Sequence, residues 1–216
     1  MDFTSIDFET ANYRKDSACQ LAAVVVAGGE VTQRHCWMIR PDPFFFTEGT
    51  IQVHGILPAD VEDKPTFAQL WSEIKPVVTG SPLIAHNAMF DLGVLTGCLK
   101  RANLDVPPVT YNCTRLISKR AWPRRLRYGL RPCADELGIQ FRHHDALEDA
   151  LTCAKILLAA AESVQCERLD ACETVLGVKR GYVKNARLRN PCFVPKKSLP
   201  RRLRVRSREH QPTLFS

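Results

Sequence analysis

The chain is predicted to fold as an α/β domain: a mixed β-sheet flanked by helices, followed by a flexible basic tail. Three observations predict this. Three strand-like segments open the chain, and helices then alternate with short strands, an order that suits a mixed sheet with helices packed against it. The second segment contains Leu21-Ala22-Ala23-Val24-Val25-Val26, an almost unbroken apolar run typical of a strand covered on both faces. Beyond about residue 178 the apolar periodicity fades and Arg, Lys and Pro take over.

The strands are expected at 3–8, 18–27 and 31–40, with Gly28-Gly29 as a hairpin turn between the second and third. Residues 41–65, broken by Pro41, Pro43, Gly49, Gly55, Pro58 and Pro65, read as loop. Thr66 suits an N-cap, and Phe67, Leu70, Trp71, Ile74 and Val78 form the apolar stripe of a helix ending near Val78. Leu83-Ile84-Ala85 is a short buried strand. Phe90, Val94, Leu95, Cys98 and Leu99 fall at helical spacing between Asn87 and about Ala102. Pro107-Pro108 closes that unit, a strand is expected over Val109–Tyr111, and short helices are expected near 114–120 and 131–138. Leu147, Ala150, Leu151, Ala154, Leu157, Leu158 and Ala161 mark a last domain helix from about Ala146 to Val164. The domain is therefore assigned to residues 1–165 and the linker and tail to 166–216, with two readings open for 166–190, packed on the domain or part of the linker.

The bulk numbers narrow the function. With 216 residues, 45% of them hydrophobic, the chain can form one real core but no template-holding second domain, which excludes a polymerase. No apolar run is long enough to span a bilayer, and Met1-Asp2-Phe3-Thr4 lacks a signal pattern, so a cytoplasmic, nucleoid-associated protein is expected. Nine cysteines, an odd number without a Cys-x-x-Cys pair, argue for reduced thiols rather than a disulfide framework or zinc site. Of the chain's 30 basic and 23 acidic residues, the stretch from Lys179 to Ser216 holds 12 and one. The preceding 178 residues carry net −4 and this stretch +11, a charge balance that concentrates a protein on a polyanion.

Asp7 and Glu9, two apart on a strand, project from one face. Ile6 and Phe8 make the strand otherwise core-like, where unpaired charge is costly. Asp91 and Asp149 each fall in the first turn of a helix, where the dipole tolerates a carboxylate. Four carboxylates aimed into one cleft stay ionised only with cations. All-oxygen ligation suits Mg2+, with Mn2+ as the alternative, and two such ions are a phosphodiester-cutting device. His144, five residues before Asp149, and its neighbour His143 are both candidate general bases on spacing alone.

Taken together, Asp7-Phe8-Glu9-Thr10, Ala85-His86-Asn87-Ala88-Met89-Phe90-Asp91 and His144-Asp145-Ala146-Leu147-Glu148-Asp149-Ala150 resemble the three motifs of the DEDD-type 3′–5′ exonucleases. More closely they resemble the histidine-bearing subgroup that includes bacterial proofreading subunits, over residues 3–165. The resemblance implies a ribonuclease H-like fold and a role for each position. Asp7, Glu9, Asp91 and Asp149 would hold two Mg2+ ions, bridged by Asp7. His144, rather than His143, would deprotonate the attacking water. Phe8 and Thr10 would line the terminal nucleotide, and His54, Ile56, Asn87 and Phe90 would border its base or sugar.

Lys119, Arg120, Arg124, Arg125 and Arg127, interleaved with Trp122 and Tyr128, form a basic loop suited to strand phosphates. The terminal Gln211-Pro212-Thr213-Leu214-Phe215 resembles the sliding-clamp-binding peptide of bacterial replication proteins, in which Gln211, Leu214 and Phe215 would be the anchors. With that peptide, DNA is the favoured substrate. An exoribonuclease trimming RNA ends and a non-catalytic nucleic-acid or clamp adaptor are the rival readings.

Overall fold

The computed structural model of the chain describes residues 1–195. Strand β1 (Phe3–Thr10) lies inside a seven-stranded sheet. On one side it pairs antiparallel with β2 (Ala18–Ala27), in a register running from Phe3 opposite Val26 to Phe8 opposite Leu21. The chain returns through Gly28 and Gly29, at φ 62° and 91°, into β3 (Glu30–Met38) at the sheet edge. These left-handed angles are why two glycines stand there.

Residues 41–65, expected as loop, instead contain α1 (Glu48–His54) and α2 (Pro58–Val61). Helix α1 carries few buried side chains, so it has no apolar stripe to announce it. Helix α3 (Phe67–Thr79) begins as expected, with the Thr66 side chain accepting from the Gln69 N–H and Gln69 reaching back to the Thr66 N–H. Strand β4 (Leu83–Ala85) pairs parallel with β1, Thr4 opposite Leu83, and leads into α4 (Met89–Arg101). Strand β5 (Val109–Cys113) continues the parallel set and runs directly into α5 (Thr114–Ala121), followed by α6 (Leu130–Glu136) and α7 (Ala146–Ser163).

Alternation along β1 supplies both layers. Phe3 packs with Ala22, Val24, Ile84, Ile156 and Leu157 in the core beneath α7. Ile6 and Phe8 point the other way, into a core of Leu21, Leu83, Leu92, Leu99, Ile74 and Tyr111 built with α3 and α4. Since β1 and β4 are parallel, their C-terminal ends open on the same edge, the usual place for a site in such a sheet.

Of the two readings open for 166–190, the structure has the packed one, and order runs on beyond residue 165. The chain continues through α8 (Leu169–Leu176), β6 (Val178–Lys179), β7 (Gly181–Lys184), β8 (Arg187–Arg189) and β9 (Cys192–Phe193). Strands β7 and β8 extend the main sheet beyond β5, and β6 pairs with β9. Glu173 of α8 ties this part down, accepting from buried Asn112 at 2.8 Å and from Arg180 at 2.6 Å. The segment 166–195 is thus part of the fold. The peptide at 211–215 and most of the basic tail lie outside the described residues. The nine cysteines are free thiols, six of them buried.

Candidate active site

The end of β1 is irregular. Its register with β2 shifts between Glu9 and Thr10, where Glu9 faces Gln20 but Thr10 faces Ala18. Such a bulge re-aims the side chains of a strand end. Asp7 and Glu9 emerge there on the α7 side, and oxygens of Asp7, Glu9 and Asp149 can lie within 4.8 Å of one another. Asp149 is buried in the first turn of α7, whose N-cap Asp145 accepts from the Leu147 and Glu148 N–H groups. Asp91, 1% exposed in the first turn of α4, accepts from the Phe8 N–H at 3.1 Å. Three of the four carboxylates therefore converge where β1 meets α7, and Asp91 stands beside them on α4, near enough for its charge to act on Asp7 and Glu9.

Their electrostatics show what the group lacks. Burial, then the charges of Asp91, Glu9 and Asp149, hold the Asp7 pKa well above the ordinary carboxylate range. Burial, then Asp149, Asp91 and Asp145, push Glu9 to about 8. Burial brings Asp91 to about 7 despite its bond from Phe8, and raises Asp149 despite the neighbouring imidazoles. Acids crowded this way resist ionisation unless cations join them. The donor set is all oxygen, which suits hard divalent ions.

Two imidazoles stand over Asp149. The His143 Nδ1 lies 3.0 Å from Asp149 Oδ2, and the His144 ring stacks on that of His143, centroids 3.9 Å apart. His144 has φ 68°, and its N–H donates to Asp149 Oδ2 at 3.2 Å. Its exposed imidazole has no hydrogen bond to protein among the described residues, and partial burial together with His143 lowers its pKa. A neutral, unengaged imidazole is the form that accepts a proton. The contact of His143 with Asp149 is one that sequence spacing missed.

One wall of the cleft is formed by α1 and the turn after it. A cavity of about 440 Å³ is lined by Gln20, His54, Ile56, His143, His144 and Asp145, among others. His54 Nδ1 accepts from the Ile56 N–H at 3.0 Å, so its Nε2 carries the proton and donates to the Thr10 carbonyl at 3.2 Å. Both nitrogens of His54 are thereby spent on shaping the wall, and Ile56 is largely buried behind it. The Phe8 ring lies in the core, leaving Phe8 its backbone to offer, and Thr10 is 8% exposed. Asn87 (φ 76°) and Phe90, 40% exposed, stand at the start of α4, just ahead of Asp91. Gln20 joins the cavity unforeseen, although one polar residue inside an apolar strand was a signal for it.

The basic loop is less free than its composition suggests. Arg125 pairs with Glu136 and lies over Trp122, Arg120 lies over Phe193 and donates to the Val194 carbonyl, and Lys119 lies over Tyr128. Only Arg124 and Arg127 extend from it with no such contact among the described residues. The loop is tied to the second motif by half-buried His86, which accepts from the Thr114 hydroxyl at 2.8 Å and donates to the Tyr128 carbonyl at 3.0 Å.

Residues 4–157 match a family model, RNase_T, described as Exonuclease. The chain is 29% identical over 157 residues to the epsilon subunit of Escherichia coli DNA polymerase III, covering 69% of this chain and 64% of that one. It is 31% identical over 172 residues to the 3′–5′ exonuclease DinG of Bacillus subtilis, covering 76% of this chain and 18% of DinG. It thus spans less than two thirds of either relative. Exonuclease X, solved in complex with 5′-overhanging duplex DNA, superposes with TM-score 0.62 at 26% identity, over 76% of this chain and 93% of that one. A full-length 3′-exonuclease with TM-score 0.70, 18% identity and 92% coverage of both chains shares the ribonuclease H-like fold.

Proposed function

The chain belongs to the exonuclease family whose model spans residues 4–157, and on that premise we propose that it removes nucleotides one at a time from the 3′ ends of DNA by Mg2+-assisted hydrolysis. The observation that carries this reading is the convergence of Asp7, Glu9 and Asp149, with the charge of Asp91 acting on Asp7 and Glu9, beside an unengaged histidine.

Two divalent ions fit this donor set, and Asp7, Glu9, Asp91 and Asp149 would hold them. When bound they neutralise the charge that develops on the phosphate and on the leaving oxygen. His144 accepts the proton of the attacking water at its unengaged ring. His143, through its contact with Asp149, keeps that carboxylate and the stacked His144 ring in place. The bond between phosphorus and the 3′ oxygen breaks, releasing a nucleoside 5′-monophosphate and a new 3′-hydroxyl. The Thr10 backbone, the wall shaped by His54 and Ile56, and Asn87 and Phe90 at the start of α4 hold the terminal nucleotide. A base stacked on Phe90 would be held by roughly 1–3 kcal/mol without sequence preference.

DNA is favoured over RNA because the relatives by sequence include a DNA polymerase subunit, and because the terminal Gln211, Leu214 and Phe215 suit a clamp-binding peptide on a basic tether. Such a protein works beside the chromosome in the cytoplasm, in replication or repair. Among the described residues no helix is long and apolar enough to cross a membrane.

Digestion of matched 5′-labelled single-stranded DNA and RNA with Mg2+, beside an Asp7→Ala control, tests the reading. A ladder of shortened DNA that the control abolishes is expected. Degradation of RNA alone would transfer the function to RNA trimming, and cleavage of neither would leave a binding adaptor.

A further inference from the structure

The β7–β8 hairpin presents a cationic face that the catalytic cleft does not use. Its register sets Tyr182 opposite Arg189, Val183 opposite Leu188 and Lys184 opposite Arg187. Side chains alternate across a pleat. Val183 and Leu188 accordingly point into the core beside Tyr111, while Tyr182, Lys184, Arg187 and Arg189 share the other, exposed face. These four residues, with Asn185 and Leu188, line a cavity of about 650 Å³.

The face is built at a cost. Lys184 and Arg187 are a directly opposed cross-strand pair of like charge, an arrangement that destabilises a ladder. No acidic residue occurs from 178 to 195, and none of the three cations is in an ion pair among the described residues. Arg189 sits directly across the ladder from Tyr182 on this face. The turn holds Asn185 and Ala186 at φ 50° and 55°, which closes a two-residue hairpin.

The hairpin is also firmly mounted. A Cβ on Gly181 would lie 2.3 Å from the Arg189 carbonyl oxygen, so the strand approaches its own return path closely. Asn190, at the end of β8, accepts from the Tyr111 hydroxyl at 2.9 Å and donates to the Met89 sulfur at 3.3 Å. Met89 opens the helix that carries Asp91, so the cationic ladder is fastened to the start of that helix.

We propose that the face formed by Tyr182, Lys184, Arg187 and Arg189 binds the phosphodiester backbone of the substrate strand upstream of the 3′ end held in the cleft. A bound phosphate relieves the Lys184–Arg187 repulsion, and Tyr182 supplies a hydroxyl and a ring edge to the same groove. This inference rests on the exonuclease reading.

The test compares the full chain with its Lys184→Gln/Arg187→Gln/Arg189→Gln variant, and with Arg187→Gln alone. Binding of a 5′-fluorescent oligothymidylate is measured in EDTA across a range of salt concentrations, with thermal melting as the fold control. The triple variant is expected to melt like the parent and bind at least about tenfold more weakly. The slope of log affinity against log salt should fall by about 2, the amount three lost phosphate contacts predict for a single strand. Arg187→Gln should shift both in the same direction by about a third. Unchanged affinity and slope in both variants would overturn the proposal. Binding is read without catalysis, while hydrolysis of a nitrophenyl ester of thymidine 5′-monophosphate by the unmodified chain reports the catalytic reading by itself. The two therefore fail separately.

Discussion

Replacing Glu9 with Gln should stabilise the metal-free protein while abolishing its activity, and the size of the effect follows from the site. Glu9 is 9% exposed, and burial with three neighbouring acids moves its pKa from 4.5 to about 8. Between these values the folded chain keeps a proton that the unfolded chain has released. Without metal, stability is therefore full below the unfolded value and falls as pH rises through the window. At pH 7 the window has been crossed by about 2.5 units, which at about 1.4 kcal/mol per unit costs roughly 3 kcal/mol. Asp91, raised to about 7, and Asp7, also raised, act in the same direction and steepen the fall.

A Gln at position 9 keeps the shape, never ionises and removes one charge that raises Asp7. Urea unfolding followed by tryptophan fluorescence should show, in EDTA near pH 7, a variant more stable than the parent by about 2–3 kcal/mol. The parent should lose stability from about pH 5 to pH 8 and the variant should lose less. Millimolar Mg2+ should reverse the order, because binding only to the folded state stabilises it by mass action and the parent keeps its full ligand set. A variant less stable than the parent in EDTA, or a parent whose stability is flat across that range, would refute the account of the carboxylates as an unsatisfied cation site.

Three other outcomes follow from single contacts. His144→Ala should lower kcat on a DNA strand by about 10²–10⁴, with little change in KM; a loss of that size confined to His143→Ala would reassign the base. Glu173→Ala strips both Asn112 and Arg180 of their partner and should cost about 3 kcal/mol in urea unfolding, because Glu173 is 6% exposed. Phe90→Ala should leave the melting temperature unchanged, since the ring is 40% exposed, yet weaken oligonucleotide binding by about 1–3 kcal/mol in a fluorescence titration.

What could be read from the sequence depended on how far a residue departed from its surroundings. Asp7 and Glu9 stood out because Ile6 and Phe8 made their strand a core strand, and a charge there demands a reason. The helices at Thr66 and Ala146 announced themselves through caps and stripes several turns long. Helix α1 buries only Thr50 among its seven residues, so no stripe could reveal it, and His54 entered the wall through backbone partners that carry no side-chain pattern. The segment 178–195 resembles a tail in sequence for a related reason. Its strands are two to four residues long, too short for alternation to emerge from a background of Arg and Lys. Yet within it the apolar Val183 and Leu188 sit opposite each other and the cations take the other face. Basic composition alone therefore does not argue for disorder: a strand can expose its charged positions as strictly as its apolar positions are buried, and here that division places three cations where a nucleic-acid strand would need them.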